Sequence, residues 1–320
     1  MKNEKNLVAY FALGAVCIIW GTTYLGLRIG VTQFPPFLFS MIRFLSAGII
    51  LVGFMLTFGK AAWPDRPTLI NQAICGLLMV TMGISVVGYA EVHVSSSVAA
   101  VICSVMPVWT ILINLVVNRD EKPNWLILLG AATGLSGIVM IFGEHLGEFA
   151  DPKYTQGIIL IFGANFCWAM GSVFIKKKNQ NSNPFLNAGL QMLFGGILLI
   201  PFSVVMDDYT NLHASPAVIY SLIYMSLIGS VAAYACYSYA IKKLPMTIVS
   251  LYAYINPIVA VILGWLILSE KLNLQIAIAI LVTVAGIYLV NRGYQLKTQP
   301  LRPLDGLRSL IKNLKTTSLF

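Results

Sequence analysis

The sequence predicts an all-α integral membrane protein: ten transmembrane helices as two inverted five-helix repeats, with both termini cytoplasmic. Three observations carry that prediction. First, 58% of the 320 residues are hydrophobic and only 10% are charged. Soluble domains are about half apolar and about a quarter charged, so a soluble globular domain and a disordered chain are both excluded. Second, the apolar residues gather into ten stretches separated by short polar joints, each near the roughly 20 residues that cross a hydrocarbon core. Third, the second half of the chain repeats features of the first at a nearly constant offset.

The expected spans, in order, are residues 7–27, 36–57, 69–90, 95–117, 124–143, 156–175, 184–206, 216–240, 246–268 and 272–291. With a cytoplasmic N-terminus, Lys and Arg fall inside except for Arg28, Lys153 and Lys271 in outer loops and Arg43 within a span. The positive-inside rule therefore sets the orientation. The outer loops collect acids instead: Glu91, Glu144, Glu148, Asp151, Asp207, Asp208 and Glu270. In a soluble chain a net charge of +9 would point to nucleic acid; distributed like this it points to a bilayer, and no nucleic-acid partner is expected. The first span follows the basic start Met-Lys-Asn-Glu-Lys but is long and lacks a small-x-small cleavage site, so it is expected to be retained.

Two repeats divide the chain into residues 1–145 and 155–293, followed by a basic tail, 294–320. Trp20 to Arg28 matches Trp168 to Lys176 at an offset of 148. Pro36, Phe37, Leu38, Arg43 and Gly48 fall on Pro184, Phe185, Leu186, Gln191 and Gly196 at the same offset, and Tyr89, Ala90 and Pro107 on Tyr239, Ala240 and Pro257 at 150. Glu121 and Gly137 fall on Glu270 and Gly286. Five spans per repeat is an odd number, so the second copy enters the membrane from the opposite side. Such inverted repeats are common in secondary transporters, which place their site at the repeat interface near mid-depth. In the tail, Leu301, Leu304, Leu307, Leu310, Ile311 and Leu314 recur at helical spacing with Arg308, Lys312 and Lys315 between them. A helix lying on anionic lipid and a disordered tail both fit.

Trp20 and Trp168 fall near mid-depth, away from the interface where tryptophan is enriched, and Tyr24 and Ser172 follow each by four residues on the same face. They are candidates for an aromatic wall around a substrate or a cation-π partner for an amine; bundle packing is the alternative. Tyr237, Tyr254 and Asn256, with Tyr89 and Trp109, are further lining candidates, each also explicable as packing. Arg43 is the only charge well inside a span and Gln191 is its counterpart. A buried arginine needs a partner, so it either snorkels, pairs with a neighbour such as Glu91, or grasps a substrate carboxylate. Glu91, with His93 nearby, is the candidate for proton coupling, unless it faces solvent. Pro107 and Pro257, near mid-depth, are kinks for packing or gating hinges. Gly26-x-x-x-Gly30 and Gly130-x-x-x-Gly134 serve internal packing or a homodimer contact.

The enzymatic alternatives find no support. The three histidines, His93, His145 and His213, are expected in separate outer loops, and no metal-spaced pair, paired intramembrane aspartates or nucleophile with a base is present. Cys17, Cys75, Cys103, Cys167 and Cys236 form no Cys-x-x-Cys pair and read as small core residues. No Walker or dinucleotide glycine motif occurs, so no cofactor is expected. A channel filter or a ring of like charges is likewise missing.

At these residues the sequence resembles the drug/metabolite transporter superfamily, specifically its ten-helix EamA-type members. The resemblance covers nearly all of residues 7–292. It rests on Trp20-Gly21-Thr22-Thr23-Tyr24, Arg43-Phe44, Ala90-Glu91 through Ser97-x-Ala99-Ala100 to Pro107, and Pro257 through Glu270. The first half is most similar to the YedA-like branch. The resemblance implies an inner-membrane exporter or exchanger of small metabolites such as amino acids, built as two bundles around a central cavity. A facilitative channel or uniporter is the alternative.

Overall fold

A computed structural model of the chain describes residues 2–117, 124–144, 150–178, 182–210, 212–268 and 274–298. Among the described residues every regular element is helical. Helix α1 (Lys2–Val31) and α2 (Pro36–Thr57) are followed by α3 (Arg66–Cys75), which widens into a π-helix, π1 (Gly76–Ser85), and closes as α4 (Val86–Ala90). Then come α5 (Ser96–Cys103), α6 (Met106–Val117) and α7 (Trp125–Glu144). Helices α8 (Pro152–Lys178), α9 (Pro184–Leu198) and α10 (Ile200–Met206) precede α11 (Pro216–Tyr224), a second π-helix, π2 (Met225–Ala232), and α12 (Ala233–Lys243). The chain continues as α13 (Met246–Val249), α14 (Tyr252–Leu268) and α15 (Leu274–Thr298).

The helix starts are written in the sequence. Asp65, Ser95, Asn183 and Ser215 each accept hydrogen bonds from backbone N–H groups of the first turn, and proline stands in the first turn of α2, α3, α9 and α11. Pro35 precedes α2 and cannot cap it. The Asp207 carboxylate supplies the cap instead, accepting from Phe37 N at 3.1 Å and Leu38 N at 2.7 Å.

Among the described residues seven helical runs are long and apolar enough to cross a membrane: Leu7–Val31, Pro36–Thr57, Arg66–Ala90, Ser96–Asn114, Pro152–Lys178, Pro184–Met206 and Pro216–Lys243. Trp125–Gly137, Tyr252–Ile267 and Ala277–Val290 are shorter apolar helices. The expected span over 246–268 is interrupted at Ser250 and Leu251, which shortens its continuous helix. Residues 294–298, expected in the tail, continue α15. Arg119, Glu121, Lys122, His145, Glu148, Glu270, Lys271 and the leucine-rich tail from 299 onward lie outside the described residues.

Helix α2 packs along α9 and α7 along α15, while α1 contacts α12 and α14, and α8 contacts π1 and α6. The α2–α9 seam is backbone against backbone. A Cβ on Gly48 would lie 2.7 Å from Leu193 N, and one on Gly196 would lie 2.9 Å from the Leu45 side chain. Gly130 and Gly137 meet Val290 and Thr283 of α15, and Gly26 and Gly30 meet Met225 and Phe39, so both glycine motifs serve packing within the chain.

Candidate functional site

Two cavities flank a cluster of buried rings. Trp20 lies 5.3 Å from Trp168, edge to face at 80°, and 4.8 and 4.9 Å from Tyr237 and Tyr252. Trp168 in turn lies 5.8 Å from Tyr234 and 5.4 Å from Tyr237. Such contacts contribute about 0.5–1.5 kcal/mol per pair beyond burial. The cluster draws on α1, α8, α12 and α14, and so joins elements far apart in sequence.

The first cavity has a volume of about 90 Å³ and is lined by Trp20, Tyr24, Arg43, Trp168 and Asn256 among the sequence candidates. One water takes about 10–15 Å³ by this measure, so the space holds several waters or a small ligand. Apolar walls come from Leu27, Ile84 and Val87, and Gly83 of π1 leaves one wall bare of side chain. The second cavity, about 360 Å³, is lined by Gln191 and Tyr237, with Asn187, Lys176, Lys242 and Lys243. Trp20 and Trp168 face the first cavity and Tyr237 the second, so the rings form the partition between them.

Arg43 is 2% exposed, which sets snorkelling aside. Its Nε donates to Ser230 Oγ in π2 at 2.7 Å, its guanidinium lies 4.5 Å from the Phe44 ring centroid, and Glu91 is near enough to act on it electrostatically. Glu91 itself is 0% exposed, so the alternative that it faces solvent is also set aside. Its charge also reaches Tyr24 and Cys103, both lining residues. Gln191 is held differently: it donates to Gln72 Oε1 at 2.6 Å and accepts from Tyr234 Oη at 2.9 Å.

Pro107 acts through the carbonyl it orphans. Pro107 has no N–H for the carbonyl four residues back, Cys103 O. The chain breaks between α5 and α6 at Ser104 and Val105, and Asn165 Nδ2 closes the deficit, donating to Cys103 O at 2.9 Å and Ile102 O at 3.1 Å. Near Pro257 the amide of Asn256, oriented with its nitrogen toward two carbonyls, donates to Tyr252 O at 3.0 Å and Cys17 O at 2.9 Å. Both prolines lie off the first cavity.

Other sequence candidates also fall outside it. Ser172 is buried and bonded to Trp168 O and Tyr237 Oη, each at 2.8 Å. Tyr254 faces α7 near Gly134 and lines a separate small pocket with Pro257. Tyr89 stacks on Phe37 and Trp109 meets Phe166. His93 and His213 are exposed, and no metal-binding group of His, Cys, Asp or Glu occurs among the described residues. Conversely Thr23, Cys103, Asn165 and Tyr252 line the first cavity without having been singled out as lining. Asn165 carried a usable signal, since it precedes Trp168 by three residues and so shares its face.

Cavities either side of an aromatic partition, within a helical bundle whose described residues include seven membrane-length apolar helices, define a multi-pass membrane protein of the transporter class. The chain belongs to the EamA-like transporter family, which it matches in two successive stretches, residues 7–143 and 155–292. It is 34% identical over 295 residues to the inner membrane transporter YedA of Escherichia coli K12, covering 92% of this chain and 94% of that one. It is 25% identical over 286 residues to a transporter of Archaeoglobus fulgidus, covering 89% and 98%. A crystal structure with 17% identity superposes at a TM-score of 0.70 over 91% of this chain and 98% of the other, which shows a shared fold.

Proposed function

We propose that the protein is a secondary transporter of small metabolites such as amino acids, an exporter or exchanger in the cell's inner membrane that works by alternating access at a midplane cavity. In this reading ten helices form two inverted repeats of five, both termini are cytoplasmic, and the cargo meets Trp20, Tyr24, Arg43, Trp168 and Asn256. The observation that carries the reading is the ring partition between two cavities, because alternating access requires a barrier that can move from one side of a site to the other.

Reciprocal packing supports the inverted repeat. Helix α1 contacts α12 and α14 as α8 contacts α4 and α6, and the Gly48–Leu193 approach is mirrored by Gly196–Leu45 at the 148-residue offset. The two π-helices also overlap when 150 is added to the first, and π-segments recur at functional sites. Glu91 is the proton-coupling candidate in this scheme, with Pro107 beside the α5–α6 break and Pro257 inside α14 as the places where a gate bends.

Proteoliposome flux tests the reading, using amino acids, amines and nucleosides with and without an imposed proton gradient. Saturable flux that the gradient accelerates is expected for a proton-coupled carrier and would direct mutagenesis to Glu91. Saturable flux indifferent to the gradient would favour exchange or a uniporter. Non-saturable flux would instead favour a channel and overturn alternating access.

A further inference from the structure

Helices α2 and α9 start at matching places in the two family-matching stretches, yet their first turns are capped by different means. Phe185 N and Leu186 N of α9 donate to Oδ1 of Asn183, the residue just before that helix, at 2.9 and 3.3 Å. The matching groups of α2, Phe37 N and Leu38 N, donate to the Asp207 carboxylate, which belongs to the other stretch. Pro35 has the backbone angles of a cap, φ −52° and ψ 121° against −70° and 118° at Asn183, but no side-chain acceptor to offer. Ser203 Oγ donates to the same carboxylate at 2.7 Å.

The neighbouring rings divide in the same way. Phe185 stacks on Tyr239 of its own stretch at 5.9 Å, as Phe37 stacks on Tyr89 at 5.1 Å. Phe37 also meets Phe202 of α10, across the two stretches, at 5.8 Å. The residues that match Phe202 and Asp207 in the first stretch are Phe54, which is exposed, and Gly59, which has no side chain. The start of α9 is correspondingly open: Pro184 and Asn187 line the second cavity, whereas none of residues 36–39 lines the first. Ser215 Oγ donates to Gln33 Oε1 at 2.8 Å and adds a further tie at the Asp207 end. The segment that carries Asp207 has its own joint. Helix α9 stops at Leu198, α10 starts at Ile200, and Pro201 has no N–H for the carbonyl of Ile197. Asp207 can therefore leave α2 without parting the α2–α9 seam.

We propose that Asp207 is a latch: its carboxylate holds one end of the bundle closed by serving as the first-turn cap of α2. Opening at that end costs α2 its cap, while opening at the other end leaves α9 capped by Asn183. The expected bias toward closure is about fivefold, the worth of one helix cap. The first cavity lies toward the latched end, since Leu27 lines it one turn before α1 finishes at Val31. The inference deepens the alternating-access reading and rests on it only for the claim that this end opens during transport.

The test uses the purified full-length protein in detergent with two readouts: hydrogen–deuterium exchange in the first turns of α2 and α9, and maleimide labelling of native Cys103, which lines the first cavity. In Asp207→Ala, exchange in α2 and labelling of Cys103 are each expected to quicken at least threefold, with exchange in α9 unchanged. Asn183→Ala is expected to quicken exchange in α9 alone. Adding Pro35→Asn to Asp207→Ala gives α2 a local acceptor, so slow exchange should return while Cys103 labelling stays fast. Labelling that falls back to the wild-type rate in that double variant would make Asp207 a structural cap and overturn the latch. Unchanged exchange or unchanged labelling in Asp207→Ala would overturn it too. If Asp207→Ala does not fold, Pro35→Asn alone decides: it frees the cap from closure and should quicken labelling with exchange still slow, and an unchanged labelling rate overturns the proposal. Proteoliposome flux of the wild type separates the latch from transport. Faster labelling in Asp207→Ala without saturable wild-type flux supports the latch and counts against transport, whereas saturable flux with unchanged labelling leaves a transporter and overturns the latch.

Discussion

Arg28 and Lys176, 148 residues apart, make the same contact on matching helices. Arg28 Nη1 donates to the carbonyls of Glu91 and Val94 just beyond α4, and Lys176 Nζ donates to the carbonyls of Ile241 and Leu244 where α12 ends. The acceptors themselves are related by an offset of 150. Each cation closes the C-terminal carbonyls of a helix, where the unpaired C=O groups and the helix dipole both favour positive charge.

These ties predict a paired experiment. Arg28→Ala and Lys176→Ala should each lose about 1–2 kcal/mol of stability, the value of charge-assisted bonds at a helix end. Arg28→Lys should recover part of the loss, read as the unfolding midpoint in detergent. Cys103, half-buried beside the first cavity, is a native reporter. Its maleimide labelling, mapped by mass spectrometry, should accelerate in Arg28→Ala, because the freed segment follows α4. Unchanged labelling with a lowered midpoint would leave Arg28 a structural cap alone.

The ring partition predicts a split between insertion and flux. Trp20→Ala or Trp168→Ala should reach the membrane in normal amount and yet lower saturable uptake at least tenfold, an effect of about 1.4 kcal/mol or more on the transport cycle. Trp20→Phe should keep most of the activity despite losing the bond to Gly229 O. Wild-type flux in the double alanine variant would remove the partition from the mechanism.

Asn165 and Pro107 form a thermodynamic pair. Asn165→Leu leaves the Cys103 carbonyl without its donor, while Ile102 O keeps the Val105 N–H at 3.0 Å, and should cost about 1–3 kcal/mol. Pro107→Ala restores a backbone N–H that can serve Cys103 O. The double variant should therefore be more stable than Asn165→Leu alone, by an amount that a double-mutant cycle reads directly. Strict additivity would mean that the amide does not compensate the proline.

How much of this was legible in the sequence varies with the physics involved. The apolar runs were, because lipid requires each crossing segment to satisfy its own backbone and so writes length and composition into the chain. Trp20 and Trp168 stood out because the repeat aligns them. The cavity contributions of Thr23 and Tyr252 depend on how helices rotate against one another, which no single helix records, whereas Asn165 could have been read from its spacing to Trp168. Tyr254 lies off the first cavity, near Gly134 and Pro257, and its direction depends on the interruption at Ser250 and Leu251, which breaks the 100° phase of the helix ahead of α14. The π-helices escaped notice because Gly76–Ser85 and Met225–Ala232 carry ordinary apolar sequence, and their wider turn shows only once neighbours are in place.

Close approach of α2 and α9 predicts opposite outcomes for two alanines on one helix. At Gly48 a methyl group would meet backbone atoms, Leu193 N at 2.7 Å and Gly189 O at 3.0 Å, and backbone cannot swing aside as a side chain can. Gly48→Ala must therefore push the two helices apart along the seam that joins the halves, and should lower the unfolding midpoint by the equivalent of about 1–3 kcal/mol. Gly53, on the same helix, has nothing within 4 Å of an added Cβ. There alanine gains helix propensity without collision, so Gly53→Ala should leave stability unchanged or raise it by up to about 1 kcal/mol. Measured side by side in detergent, the two separate contact from propensity, since both remove a glycine from one helix and only one meets a neighbour. Equal midpoints would mean that α2 and α9 can part without cost, and the seam would then be a sliding surface of the transport cycle rather than a fixed one.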